Sequence, residues 1–353
     1  MLKYKFDNSH QQLFPPLKKK VDEYFSGVRH PAGNQKLYVK ASLQVGMAIS
    51  LYVLLVFFTP PAWISVGLCV VLGILLSLIG FNVMHEGGHQ SFSRHAWLNK
   101  LSSYFLNILG GNQYYWKIKH NQNHHTYTNI EGMDSDIDVK PLMRLHEGQP
   151  HRWYHRFQHI YWVFLYGISY LVWVFYEDFQ KYVSGKINSN SEAKKMAPRE
   201  HVIFWFTKLM YIFCYIVVPI IFVGWASWLV GFLIVTFVCG LAISIVFQLA
   251  HVVGGTSFHS AEGGTSDCEW AVHQLASTSN FGTSSRLLHW FLGGLNFQIE
   301  HHLFPRVSHI HYPAISVFVR EACKKAGIAY HEHRTMMGAI VSHVMLLHKL
   351  GRG

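Results

Sequence analysis

The sequence predicts an all-α membrane protein in which four transmembrane helices form two hairpins beneath a cytoplasmic helical cap. Half of the 353 residues are hydrophobic and the mean hydropathy is +0.15, which is too apolar for an ordinary soluble domain. Two long segments, Lys40 to Glu86 and Lys208 to Glu262, contain no Asp, Glu, Lys or Arg between their ends. A span needs about 20 apolar residues, so each segment can hold two.

Each charge-free segment has a turn near its middle, at Thr59-Pro60-Pro61 in the first and at Gly224-Trp225-Ala226-Ser227 in the second. This division predicts spans near residues 42–60, 62–83, 203–223 and 227–250. We therefore expect a cytoplasmic N-terminal segment 1–41, a membrane domain 42–302 and a cytoplasmic C-terminal segment 303–353.

The basic residues predict the orientation. The formal net charge is +11 and both hairpin turns are uncharged, while Lys18, Lys19, Lys20 and the later basic residues all fall on one side of the spans. By the positive-inside rule that side is the cytoplasm, of a bacterial inner membrane or of the endoplasmic reticulum. The chain has no nucleic-acid-binding motif, so the positive charge favours membrane lipid over nucleic acid as a partner.

A third apolar run, residues 157–176, lies between Arg156 and Glu177. Its length would permit a fifth span, but it is rich in Tyr and Trp, which favour the membrane interface. A span here would also place the histidine clusters described below on opposite sides of the membrane. We therefore expect this run to form a helix in the membrane plane.

Histidine is unusually frequent, with 25 residues, and imidazole is the commonest side-chain metal ligand. Seven of these histidines form three clusters, each beside the predicted cytoplasmic end of a span. In the first cluster, His85 and His89 are four residues apart and share a helical face. Both can therefore reach one metal ion.

The second cluster is His120, His124 and His125, in which the first two again share a helical face and His125 points about 100° further round. The third cluster is the adjacent pair His301 and His302, which would be poor core residues because each buried ring would need partners. Zinc takes about four ligands, so seven imidazoles predict two metal ions. Nitrogen ligands suit iron, zinc, copper or nickel.

The three boxes, His85 to His89, His120 to His125 and Gln298 to His302, resemble those of the membrane fatty acid desaturase family in their types and order. The resemblance extends from about residue 40 to about residue 335 and includes the two hairpins. Gln298 in the third box resembles the front-end branch, which inserts a double bond between an existing one and the carboxyl end. The acidic residues Asp134 and Asp136, soon after the second box, are also similar to the pattern of the family.

The resemblance implies an oxidoreductase that uses dioxygen, two iron ions and two external electrons to place a cis double bond in a fatty acyl chain. The substrate would be a fatty acyl lipid or an acyl-CoA, and the sequence does not distinguish them. The seven box histidines would be catalytic, and His251, at the end of the fourth span, resembles a further ligand in related desaturases. Candidates to orient these imidazoles are Glu86, Asp134, Asp136, Gln298 and Glu300.

The electron donor is expected to be a separate protein. Front-end desaturases often carry a fused cytochrome b5 domain with an HPGG haem motif, and His30-Pro31-Ala32-Gly33 is a near match. Only about 40 residues precede the first predicted span, too few for that domain. A cytochrome b5-like or ferredoxin-like partner is therefore predicted.

Three alternatives share part of this pattern. A di-iron lipid hydroxylase on the same scaffold would have the same box spacing. A membrane zinc protease would use His85, Glu86 and His89 as an HExxH motif, but that leaves the other clusters unexplained. A metal transporter would carry ligands near the middle of its spans, where these hairpins have few.

Overall fold

The computed structural model describes residues 4–9, 11–27, 30–188, 191–261, 264–266 and 268–353. As predicted, the chain is mostly helical. Its main helices, in chain order, are α1 (Phe14–Phe25), α2 (Gln35–Phe58), α3 (Ala62–Gly88), α4 (Ala96–Ser103), α5 (Phe105–Ile108), α6 (Gln113–Lys117), α7 (His125–Tyr127), α8 (Trp153–Ser184), α9 (Pro198–Val223), α10 (Trp225–His251), α11 (Trp270–Ser277), α12 (Arg286–Phe291), α13 (Gln298–Leu303), α14 (Tyr312–Ala326) and α15 (Met336–Leu350).

Short strands, which the sequence analysis did not predict, join distant loops of the cap. They form three parallel pairs of two-residue strands: β1 (Lys5–Phe6) with β4 (Thr265–Ser266), β2 (Ile130–Glu131) with β3 (His259–Ser260), and β5 (Asn280–Phe281) with β6 (Glu332–His333). The middle pair connects the segment after the second box with the segment after α10. It therefore helps to bring the second box close to His251.

Five helices are long and apolar enough to cross a membrane: α2, α3, α8, α9 and α10. Four of them coincide with the predicted spans: α3, α9 and α10 contain theirs, whereas α2 begins seven residues before residue 42 and ends at Phe58, two residues before the predicted end. The first of these helices begins earlier than predicted because the Asn34 side chain accepts a hydrogen bond from the amide of Leu37 and caps α2 at Gln35. The turns lie where predicted, at Thr59 and Gly224, which both adopt positive φ.

The remaining apolar helix, α8, is longer than the predicted 157–176 and crosses α10 in close contact. A Cβ atom on Gly240 of α10 would lie 2.6 Å from the carbonyl oxygen of Gly167 on α8. The hydroxyls of Ser169 and Ser244 are 2.8 Å apart at the same crossing. Only residues without bulky side chains allow two helices to approach this closely.

Two of the histidine boxes lie on π-helical turns. Residues Gly80–His85 form a π-helical turn within α3, before its last residues Glu86–Gly88, and residues Ile118–His124 follow α6 directly. Such turns are rare and frequently mark functional sites. In both boxes the paired rings are neighbours, with centroids 4.6 Å apart for His85 and His89 and 5.3 Å apart for His120 and His124.

Candidate metal centre

Histidines from all three boxes meet in two groups at the cap ends of α3 and α10. In each group, one ligand atom from every residue lies within 4.8 Å of the others. The first group is His85, His89, His120 and His301, and the second is His124, His251 and His302. Residues more than 200 positions apart in the chain therefore form a single site.

His125 lies between these two groups. Its ring centroid is 4.6 Å from that of His301 in the first group and 4.4 Å from that of His302 in the second. Its Nε2 atom is 3.2 Å from Nε2 of His120. The seventh box histidine thus connects the two groups.

His251, which lies outside the boxes, is placed in the second group. Its ring centroid is 4.7 Å from that of His124 and 4.8 Å from that of His302. The Nδ1 atom of His251 is 3.2 Å from the carbonyl oxygen of Ser277. This contact leaves Nε2 free to point toward the other two rings.

Among the residues that the structure describes, many ring nitrogens at the site are buried and unpaired, as the ligand atoms of a metal centre are before the metal binds. Several are buried and lack a hydrogen-bond partner within the described part of the chain: Nδ1 of His125 and Nε2 of His89, His124, His251, His301 and His302. A buried polar atom without a partner costs about 1–3 kcal/mol, so a cluster of them needs an explanation. His89, His124, His251, His301 and His302 all belong to the two groups, so metal ions bound between the rings would give partners to nitrogens of this kind.

Burial keeps most of the imidazoles neutral, which is the form that binds metal. Desolvation lowers the pKa of His120, His125 and His302 well below the ordinary value, and neighbouring histidines lower it further. His124 differs from them. Burial acts to lower its pKa, but the charge and hydrogen bond of Asp134 outweigh burial and raise it.

Two of the predicted orienting carboxylates contact a ring of the site. Asp134 Oδ2 is 3.0 Å from Nδ1 of His124, and it also accepts a 3.0 Å hydrogen bond from the amide of Asn129. Asp136 Oδ2 is 3.6 Å from the same Nδ1, while its Oδ1 pairs with Lys119 at 2.6 Å. A carboxylate on Nδ1 fixes the tautomer and makes Nε2 a stronger metal ligand.

Asp134→Asn should weaken metal binding because it removes this negative charge while keeping the size of the side chain. Loss of such a contact typically costs about 10–100-fold in metal affinity or activity. Metal content after dialysis against graded chelator concentrations measures the effect. Asp136→Asn is the matched control and should have a smaller effect, since Lys119 holds that carboxylate. Equal effects of the two changes would contradict this role for Asp134.

Other ring contacts were not predicted. The Tyr312 hydroxyl is 3.1 Å from Nδ1 of His301, and Oε1 of Gln274 is 2.8 Å from Nδ1 of His302. Gln274 also accepts a hydrogen bond from the Thr128 hydroxyl at 3.0 Å. These residues carry no spacing signal, because the contacts arise only when α11, α13 and α14 pack together.

Glu86, which was expected to orient an imidazole of the site, has other hydrogen-bond partners among the described residues. Its Oε1 atom accepts hydrogen bonds from Nδ1 and the amide of His309, at 2.6 and 2.9 Å, and its Oε2 accepts one from the Ser91 hydroxyl. Nε2 of His309 is 3.3 Å from the buried ammonium of Lys40. Glu86 therefore ties the first box to the loop after the third box and to α2, rather than orienting an imidazole of the site.

Glu300 and Gln298 also have partners other than the site histidines in the described residues. Glu300 accepts hydrogen bonds from Asn280 Nδ2 at 2.8 Å and from the Tyr330 hydroxyl at 2.9 Å, and burial raises its pKa to about 7. Gln298 donates from Nε2 to the Leu295 carbonyl at 2.9 Å. Both therefore stabilise the position of α13, which carries His301 and His302.

Comparison with known proteins agrees with this arrangement. The model of the fatty acid desaturase family matches residues 61–334, which include all three boxes and His251. The chain belongs to the fatty acid desaturase family. It is an integral membrane oxidoreductase that desaturates fatty acyl chains, and the family predicted from the boxes is confirmed.

Individual relatives of this desaturase align over nearly its whole length. The sn-1 linoleoyl-lipid 6-desaturase of Arthrospira platensis is 32% identical, covering 95% of this chain and 91% of the relative. The acyl-lipid (8-3)-desaturase of Physcomitrium patens is 32% identical over 98% of this chain and 73% of the relative. The Delta(5) fatty acid desaturase A of Dictyostelium discoideum is 27% identical over 96% of this chain and 75% of the relative. These relatives support the predicted resemblance to the front-end branch.

Proposed function

We propose that this desaturase inserts a cis double bond near the carboxyl end of an acyl chain esterified in a membrane lipid, at a centre of two iron ions. The observation that carries the proposal is the pair of histidine groups with unpartnered, inward-facing nitrogens. The position of the double bond is inferred from Gln298 and from relatives named as 6-desaturases or Delta(5) desaturases. An ester in a lipid is inferred from the words "acyl-lipid" and "linoleoyl-lipid" in their names.

The ligands divide between the two irons in a way that the distances suggest. We assign the four histidines of the first group to one iron. The second iron would be held by His124, His251 and His302, and His125, which lies between the groups, would be shared by the two ions. Iron accepts imidazole nitrogen readily, so this division leaves each ion with at least three imidazoles of its own.

The protein's own residues position the site and exclude water. Bound iron would supply the redox chemistry that removes two hydrogens from neighbouring methylenes, which acid–base groups cannot do. The rings of the site are almost all buried, with exposed fractions of 0% for His302 and 1% for His251 and His124. A site this dry protects reactive species from water.

The position of Glu86 argues against the zinc protease alternative. That mechanism needs the carboxylate of the HExxH motif beside a metal-bound water as a general base. Glu86 instead has both oxygens occupied by His309 and Ser91. It is therefore not available for that role.

We propose four spans, α2, α3, α9 and α10, with α8 lying in the membrane plane and the site facing the cytoplasm. Both ends of α8 contact the cap. At its start, Gln158 donates a hydrogen bond to the Arg144 carbonyl at 3.0 Å. Near its end, Glu177 lies 3.8 Å from Lys119, which directly precedes the second box. Two ends in one layer favour a helix that does not cross, and residues 1–41 and 303–353 would then flank the membrane domain 42–302 on the cytoplasmic side.

Reporter fusions test this topology. Truncations after Gly148 and after Lys195, placed before and after α8, should both give cytoplasmic reporter signals. A fusion after Thr59, in the first hairpin turn, is the external control. Opposite signals from Gly148 and Lys195 would show that α8 crosses the membrane and that the four-span assignment is wrong.

A separate electron donor is part of this proposal. Reduction of dioxygen to two waters takes four electrons, of which the acyl chain provides only two, so a partner must provide the rest. A cytochrome b5-like or ferredoxin-like protein would serve. The donor would have to approach the cytoplasmic face, where the buried site lies closest to the aqueous surface.

Feeding experiments test the function. A host without polyunsaturated lipids, expressing this chain, should convert added linoleate to a product with a new double bond on the carboxyl side of the existing ones. Double-bond mapping of each lipid class during a short pulse shows whether the product appears first in phospholipid or in acyl-CoA. The His301→Ala, His302→Ala double variant is the inactive control. A new double bond on the methyl side, or a hydroxylated product, would overturn the proposal.

A further inference from the structure

We propose that the junction of α8 and α15 is a binding site for the head group of an anionic phospholipid. An open cavity of about 550 Å³ lies at this junction, outside the metal centre. Its lining includes two arginines, two histidines, a tryptophan and an isoleucine: Arg156, Arg352, His151, His159, Trp153 and Ile160. It has no acidic side chain in its lining, so its charge suits an anion.

The two arginines are available to a ligand. Both are exposed, and neither takes part in an ion pair with the described residues. The nearby carboxylate of Glu147 pairs with Lys349 at 2.9 Å instead. The Arg156 guanidinium lies 4.6 Å from the Phe157 ring centroid, which restricts its motion. A guanidinium held in this way can bind two phosphate oxygens at once.

Apolar surface beside the cavity suits the acyl chains of a lipid. On α8, Trp153, Ile160 and Phe164 are 71%, 65% and 60% exposed. On α15, the residues Met337, Val341 and Met345, spaced four apart, are 66%, 50% and 67% exposed. Exposed apolar faces of this size are unfavourable in water and are typical of helices that contact lipid.

The two helices form one unit beside the bilayer. The Tyr166 hydroxyl of α8 is 2.9 Å from Nε2 of His343 on α15, and the rings of His159 and His348 are 4.7 Å apart. Helix α15 has 15 residues and is about 22 Å long, too short to span a bilayer. Its length and its exposed apolar face therefore suit a position at the membrane surface, with the cavity near its C-terminal end.

A lipid fits these features better than a soluble anion or a protein. Tryptophan prefers the level of the head groups, and clusters of Arg near the membrane attract anionic lipid. A soluble anion would use the arginines but not the apolar faces. The site lies at the interface whether α8 lies in the plane or crosses the membrane, so the proposal does not depend on the topology or the reaction proposed above.

The test uses the purified full-length protein in detergent. Phosphatidylglycerol should bind more tightly than phosphatidylcholine and raise the melting temperature more, while diacylglycerol, which lacks the phosphate, should do neither. Native mass spectrometry measures the bound lipid. Arg156→Gln, Arg352→Gln together should weaken phosphatidylglycerol binding by about tenfold or more. The matched control is Arg94→Gln, Arg199→Gln, two exposed arginines outside the cavity.

Each of the other outcomes would overturn the proposal. Equal binding of phosphatidylglycerol and phosphatidylcholine by the unmodified protein would show that charge is not recognised. Unchanged binding in the arginine double variant, or equal loss in its control, would place the lipid elsewhere. Stabilisation by inorganic phosphate equal to that by phosphatidylglycerol would identify a soluble anion instead. The lipid measurements require no turnover, so they are independent of whether the desaturation proposal holds.

Discussion

Removal of metal is expected to abolish desaturation, and ferrous iron is expected to restore it while zinc does not. Eight imidazoles converge at the site, more than the about four ligands of a single zinc ion. Zinc also has no redox chemistry, so it could occupy the site without supporting the reaction. Metal analysis of active protein should therefore find two irons per chain.

The experiment needs activity and metal content measured on the same samples. Chelation of the purified desaturase should reduce both together, and titration with ferrous iron should restore activity in proportion to bound iron up to two per chain. Inactive protein containing zinc would agree with the proposal, because zinc binds nitrogen sites more tightly than ferrous iron. Active protein with one zinc and no iron would refute it.

The two histidine groups could be predicted from sequence largely because most of their members have regular spacing. His85 and His89, and His120 and His124, are each four residues apart, which places both rings of a pair on one side of a helical turn. Each predicted hairpin crosses the membrane twice, so the sequence also predicts that all three clusters lie on one side of the membrane. His251 was predicted differently, from its position at the end of an apolar run and from family resemblance.

The surroundings of the ligands could not be predicted in the same way. The side chain of Glu86 is adjacent in sequence to a site histidine, yet it binds His309, 223 residues away. Gln274 and Tyr312 contact the rings of His302 and His301 although no motif contains them. Such contacts depend on how separate helices pack, and a single sequence carries no direct signal for that packing.

The position of α8 could not be predicted from the sequence either, because it too depends on how separate helices pack. Composition gives α8 the length of a span, and the sequence argued against a span through its Tyr and Trp content and through the need to keep the boxes on one side of the membrane. The contacts that bear on its course are tertiary: the Gly167–Gly240 approach to α10 and the Lys119–Glu177 pair. Hydropathy therefore predicts that α8 is a long apolar helix, but it does not predict whether this helix crosses the membrane.

His251→Ala is expected to abolish activity and reduce bound iron from two per chain toward one. His251 is 1% exposed and its Nε2 has no hydrogen-bond partner among the described residues. One ring nitrogen of His251 also lies within 4.8 Å of ring nitrogens of His124 and His302, which is the arrangement that a bound metal ion requires. Without it, the second group keeps only His124 and His302, with His125 shared between the groups. Iron content, the absorption spectrum of the bound centre and double-bond formation should all change together.

His273→Ala is the matched control for this change. His273 is also 1% exposed, but it belongs to neither histidine group. Its Nε2 is used in a 2.8 Å contact with the carbonyl oxygen of Thr128. We expect this variant to keep two irons and its activity, with at most a lower melting temperature from the lost hydrogen bond. If His251→Ala retains full activity and both irons, the centre is held by the seven box histidines alone.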